Sequence, residues 1–207
     1  MTKKATAPKF ERIAPDARRA RLIEASIACL AKGGIQGFTV DNICHEAGTS
    51  RGLITHHFGS KNVLLAAIYA SIYGKVLEKL VRSETKPQSI DELVEMIFGD
   101  SSLNREYLNV WLALWGEIAV NPALQVEHRK NYALYREHIA RAISAFARGR
   151  GVTVDSYDVA TILISLVDGL WLEQCIDQSL LSLDRAKDLC RRTLAAVLAP
   201  QPARRPT

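Results

Sequence analysis

The sequence predicts an all-helical protein, and three observations carry that expectation. Apolar residues recur at helical spacing along nearly the whole chain, while the strict alternation of a half-buried strand is almost absent. Helix-ending signals punctuate the pattern, among them Gly33-Gly34, Gly48 and Asn121-Pro122. Polar residues suited to capping stand where new helices should begin: Thr39, Ser60, Asp155 and Asp184.

In chain order, helix one is expected from about Asp16 to Lys32, with Leu22, Ile23, Ser26, Ile27 and Leu30 facing inward. Helix two follows Thr39 and buries Val40, Ile43, Cys44 and Ala47 before Gly48 breaks it. Helix three runs from about Ser50 to His57. Helix four follows Ser60 and repeats Leu64, Leu65, Ile68, Ile72, Val76 and Leu80 at helical spacing. Beyond Lys86-Pro87-Gln88 the helices become longer and more thoroughly apolar. Helix five is expected near Ile90 to Phe98, helix six near Glu106 to Val120, and helix seven from about Ala123 to Arg148. Tyr132, Tyr135, Ile139, Ile143 and Phe146 form the inner face of the last of these. Arg148 to Gly151 reads as a loop, Asp155 opens helix eight to about Gln178, and Asp184 opens helix nine to about Leu198. Pro200 to Thr207 reads as a disordered tail. Two regions result: an N-terminal arm with a three-helix head over residues 1–60, and a helical body over 61–200.

Composition narrows the function classes. Of 207 residues, 48% are hydrophobic and 24% charged, the balance of an ordinary soluble protein. The basic, polar N-terminus lacks the apolar run of a secretory signal. The longest apolar segment, Val159 to Leu172, is interrupted by Asp168 and falls short of a membrane span. A cytoplasmic location without membrane partners is therefore expected. Cys29, Cys44, Cys175 and Cys190 are isolated, with no metal-ligand spacing, and read as buried thiols. No metal and no cofactor is expected. The net charge of +5 is concentrated early: Lys3, Lys4, Lys9, Arg12, Arg18, Arg19 and Arg21 face only Glu11 and Asp16, as in a basic arm that follows phosphates.

The segment from Thr39 to Lys61 carries the strongest signal. Two short helices meet at Gly48, which permits a sharp turn, and Ile43, Ala47 and Ile54 can join as a small core. Ser50, Arg51, Gly52, Thr55 and His56 are then left facing outward. Arg51 has the reach for two hydrogen bonds to a guanine edge, and Gly52 permits close approach of backbone and groove. Ser50 and Thr55 supply hydroxyls, His56 and His57 supply ring donors, and Lys61 suits a phosphate. His57 and Thr55 could alternatively serve only to pack the head together.

The run TVDNICHEAGTSRGLITHHFGSKNVLLAAI, from Thr39 to Ile68, resembles the DNA-binding segment of TetR-family repressors, and the resemblance extends over residues 16–80. Most members carry Tyr where this chain has Thr55, which removes one phosphate contact. Arg51-Gly-Leu-Ile-Thr-His-His-Phe58 is similar to helix three of the choline-responsive, BetI-like subgroup, and the Trp-bearing body segments agree. The resemblance implies DNA contacts from Thr39, Ser50, Arg51, Gly52, Thr55, His56, His57 and Lys61. It also implies a small-molecule inducer, a near-palindromic double-stranded operator, and a homodimer through helices eight and nine. The near all-round apolar character of Ala160 to Val167 fits such pairing. Two-fold symmetry would space the two recognition helices about 34–36 Å apart or a multiple of it.

Aromatic residues gather in the body, with Trp111 and Trp115 one helical turn apart and Trp171 beside Asp168. Carboxylates inside apolar helices are costly unless partnered, so Glu117 and Asp168 mark a site, a partner or a helix edge. Aromatic faces with a carboxylate suit a quaternary ammonium ion, whereas Trp at helical spacing also suits a plain core. The expected cavity lies among helices six, seven and eight, lined by Trp111, Trp115, Tyr135 and Trp171, with Asp168 or Glu117 as counter-charge. A hydrolase is disfavoured, because no G-x-S-x-G, H-E-x-x-H or Gly-rich phosphate loop occurs and no catalytic group is assigned. A non-specific architectural DNA binder is the nearer alternative. It would carry more charge than +5 and have no use for an aromatic-lined body.

Overall fold

The computed structural model describes residues 14–83, 89–98, 105–177 and 179–199. The expected arm residues Lys3, Lys4, Lys9 and Arg12, the boundary at Lys86-Pro87-Gln88, Gln178, the Cys175 side chain and the tail from Pro200 lie outside that description. Among the described residues the chain forms nine helices and no strand.

Helix α1, Pro15–Gly37, opens with a proline whose missing N–H is no loss in a first turn, and Asp16 complements the positive end of the helix. Its regular run ends at Gly33-Gly34, as expected. Gly34 takes φ 55° and ψ −151°, so Gly33-Gly34 kinks the helix and one further turn follows. Helix α2, Val40–Ala47, is capped by Thr39, whose Oγ accepts from the Asn42 N–H at 3.2 Å. Gly48, at φ 60°, closes it in the left-handed region where a side chain would be strained. Helix α3 is Arg51–Phe58. Helix α4, Lys61–Ser83, begins with Ser60 accepting from the Val63 N–H.

In the body, α5 is Ile90–Phe98, opened by a reciprocal Ser89–Glu92 capping pair. Helix α6 is Arg105–Ile118. Helix α7, Pro122–Gly149, starts at the proline itself, capped by Asn121. Asp155 caps α8, Ser156–Ile176, as expected. The cap of α9, Leu183–Val197, is Ser182 rather than Asp184. The helix starts earlier than its acidic residue suggested, which leaves Asp184 in the first turn, where its charge favours the helix dipole.

Two cores organise these elements. The first joins Leu22 and Leu30 of α1, Ile43 of α2, Ile54 and Phe58 of α3 and Leu64 and Ile68 of α4. It continues into Val110 and Leu114 of α6 and Leu124 of α7, so the head rests directly on the body. Two amide bridges support that seat: Asn109 donates to the Ala31 carbonyl at 2.8 Å, and Asn121 donates to the Asn62 carbonyl at 3.3 Å. The second core packs Leu93 and Phe98 of α5 with Ile139 and Ile143 of α7, Leu163 and Ile164 of α8, and Cys190 and Leu194 of α9. Cys29 and Cys190 are buried free thiols, as expected, while Cys44 is only half-buried. Burial pushes the Cys190 thiol up to about 11. No described helix is long and apolar enough to cross a membrane.

Candidate DNA-reading face and ligand cavity

Helix α3 is amphipathic over only eight residues. Ile54 and Phe58 pin it to the head core, and Leu53 and His57 are half-buried beside them. This leaves Ser50, Arg51, Gly52, Thr55 and His56 exposed, the outward set expected from the sequence. The Ser50 hydroxyl makes no capping bond, while the Leu53 N–H donates to the Ser50 carbonyl at 3.1 Å. Arg51 projects outward with 72% of its side chain exposed and forms an ion pair with Asp41 of α2. The His56 and His57 rings meet edge to face, 5.2 Å between centroids.

Two expected contact residues also have work inside the head. Thr39 is exposed, yet its hydroxyl caps α2. The Lys61 ammonium donates to the Phe38 carbonyl at 3.2 Å and lies 5.3 Å from the centre of the Phe38 ring. Phe38 is fully buried, so Lys61 ties the start of α4 to the end of α1. Its ammonium has two further donors for a second partner.

A cavity of about 210 Å³ lies in the body. Trp111 and Trp115 of α6, Tyr135 of α7 and Asp168 and Trp171 of α8 line it, together as expected. Glu117, the other expected source of charge, is not among its walls; it is half-buried near the end of α6. The sequence reading also missed two walls. Helix α4 contributes Ile72, Tyr73, Lys75, Val76 and Leu80, and α5 contributes Met96, Ile97 and Phe98. Tyr69 and Tyr73, one turn apart on α4, were a readable sign of an aromatic face there.

The rings form a connected wall. Tyr73 meets Trp111 at 5.4 Å and 90° and Tyr135 at 6.0 Å and 79°. Trp115 meets Trp171 at 5.7 Å and 88°. Such edge-to-face contacts hold rings rigidly while leaving other π-faces available. Behind the wall, the fully buried Tyr69 stacks on Tyr73 and shares a 2.7 Å hydrogen bond with His128 Nδ1. Burial pushes the Tyr73 phenol up to about 12 and Tyr135 well above its usual range, so all the phenols here stay neutral.

Asp168 finds no hydrogen-bond or ion-pair partner among the described residues. It lines the cavity and keeps accessible surface, yet desolvation by its surroundings pushes its carboxyl up to about 6. An unpaired carboxylate against aromatic faces can attract a cation of low hydration. Among the described residues no group of three or more His, Cys, Asp or Glu is arranged to hold a metal ion.

Comparison with known proteins bears on both places. Residues 22–68 match the family described as bacterial regulatory proteins, tetR family, and residues 87–199 match the C-terminal domain of BetI-type transcriptional repressors. The HTH-type transcriptional regulator BetI of Burkholderia thailandensis is 26% identical over 190 residues, covering 89% of this chain and 95% of that protein. BetI 1 of Chromohalobacter salexigens is 27% identical over 199 residues, covering 92% and 95%. A transcriptional regulator from Pseudomonas aeruginosa PAO1 superposes with a TM-score of 0.80 at 32% identity, over 92% of this chain and 95% of its own. A regulator from Saccharomonospora viridis, solved in complex with choline, superposes with a TM-score of 0.69 at 25% identity, over 86% and 93%.

Proposed function

Because the chain belongs to the TetR family of bacterial regulatory proteins, with the C-terminal domain of a BetI-type transcriptional repressor, we propose that its head grips a near-palindromic operator and its body releases it when a choline-like amine enters the cavity. The head comprises residues 1–60 and the body 61–200. The carrying observation is the exposed face of α3, where every side chain not needed for packing is suited to bases or phosphates. Arg51 reads a guanine edge, Gly52 allows close approach, and Thr39, Ser50, Thr55, His56, His57 and Lys61 complete the contacts. The protein acts in the cytoplasm as a homodimer through α8 and α9, which sets the separation of the two α3 helices.

The amine sits against Trp111, Trp115, Tyr135 and Trp171, with Asp168 as its counter-charge. The choline held by the Saccharomonospora viridis regulator supports this choice of ligand class. Helix α4 transmits the event, since its first turns belong to the head core while Ile72, Tyr73 and Val76 form a cavity wall. A ligand that fits a displaced α4 better than the DNA-bound one lowers operator affinity by that difference.

Footprinting upstream of the chain's own gene, with and without choline, tests the reading. A short symmetric protected site that choline erases is expected. Protection that spreads without a boundary would remove the specific regulator. A sharp footprint indifferent to choline would remove the amine.

A further inference from the structure

A carboxylate on a surface that meets a polyanion opposes binding, so one that stands there calls for a reason. Asp41 lies in the first turn of α2 with 67% of its side chain exposed, and its Oδ1 accepts from Nη2 of Arg51 at 2.5 Å. The fold has little use for this pair. Thr39 caps α2, Ile43 and Ala47 pack it, Asp41 favours the helix dipole from the first turn whether or not Arg51 is beside it, and an ion pair so exposed adds little stability. Its effect is geometric. A guanidinium is a planar fork with five donors, and an engaged Nη2 fixes the plane while leaving other donors free. A two-bond contact to guanine O6 and N7 requires just such a fixed plane, and a side chain already held loses less freedom on binding. Arg51 is the first residue of α3 and Gly52 follows it with open space around its Cα, so the fork stands clear of its own helix.

We propose that Asp41 is a specificity-determining residue, which from α2 positions the Arg51 guanidinium for a guanine edge. The proposal rests on Arg51 as a base reader and assigns to Asp41 the orientation of that reader. Among the described residues a second ion pair joins head helices and supplies a control. Glu46 pairs with Lys32 of α1 and lies five positions after Asp41, about 140° around α2. Glu46→Gln removes the same unit charge from the same helix without touching Arg51.

The test uses the full-length chain and a double-stranded library with a randomised core. The duplex recovered by wild type is remade with every single base-pair substitution, and affinities are measured for wild type, Asp41→Asn, Glu46→Gln and Arg51→Ala. Asp41→Asn is expected to lose about tenfold in preference for guanine at the position where Arg51→Ala loses it. Its affinity for an unrelated duplex should hold or rise slightly, because a negative charge has gone. Glu46→Gln should keep the preference. If Asp41→Asn keeps or sharpens that preference, or weakens on all duplexes alike, the positioning role is overturned. If Arg51→Ala leaves every base preference intact, the reading of Arg51 fails, and that outcome is separable from failure of Asp41 alone. Melting of Asp41→Asn within a degree or two of wild type would show that the head is folded in each comparison.

Discussion

At Asp168 the molecule keeps a carboxyl where ionisation is disfavoured, and no described residue pairs with it. Its folded pKa, about 6, lies above the ordinary 3.8, so the fold favours the protonated form. The corresponding stability is fully present below the ordinary value and is lost as pH rises through the folded one. Asp168→Asn should therefore raise the melting temperature of ligand-free protein near neutral pH and leave it unchanged near pH 4, as followed by circular dichroism. Cation binding has the opposite dependence, since it needs the ionised carboxylate. The phenols of Tyr69, Tyr73, Tyr132 and Tyr135 share this field and stay neutral across the range. Choline affinity should be about tenfold weaker at pH 5 than at pH 7 by calorimetry, the ratio expected for one titrating group with a pKa near 6. A flat profile would show that Asp168 is not the counter-charge.

The turn between α2 and α3 decides where the reading face points. Gly48 holds φ 60° and donates to the Cys44 and His45 carbonyls, ending α2 and swinging the chain toward α3. A Cβ there would lie 3.5 Å from the Arg21 guanidinium, an ordinary contact, so the penalty for alanine is that of the backbone. Gly48→Ala should cost about 1 kcal/mol, roughly 2–4 °C in melting temperature for a chain of this size. A much larger drop would mean that the approach of α1, rather than the turn, is what glycine serves. Helix α4 works differently. Its inner face is continuous, but one end belongs to the head core and the other to the cavity, so a tilt at the cavity shifts the head.

In the proposed dimer, pairing falls to the outer side of α8 and α9. Ala160, Leu163 and Ile164 are buried within the chain, while Ile162 is 50% exposed and Leu166 half-buried on the other side of α8. An apolar stripe left open by one subunit is suited to a second copy. Ile162→Glu should shift the protein to monomer in light scattering after size exclusion, and operator protection should fall with it. A dimer that persists would place the pairing surface elsewhere.

Local chemistry made much of this legible. Caps, glycines and helical periodicity act within a few residues, so the helix order, the α2–α3 turn and the outward set on α3 could be read directly. The same short range explains a misreading: Ser182, two residues ahead of Asp184, takes the cap of α9. The cavity was legible only in part. Trp111, Trp115, Tyr135, Asp168 and Trp171 signalled themselves by type, but the walls from α4 and α5 did not, because packing between distant segments brings them in. Packing also excluded Glu117 and set Lys61 against the Phe38 carbonyl. Sequence alone determined which helices form and which face of each is apolar, since both follow from neighbours along the chain. Tertiary structure decided which carboxylate faces the aromatic wall and which guanidinium a carboxylate holds, since these depend on distances between helices that no local pattern encodes.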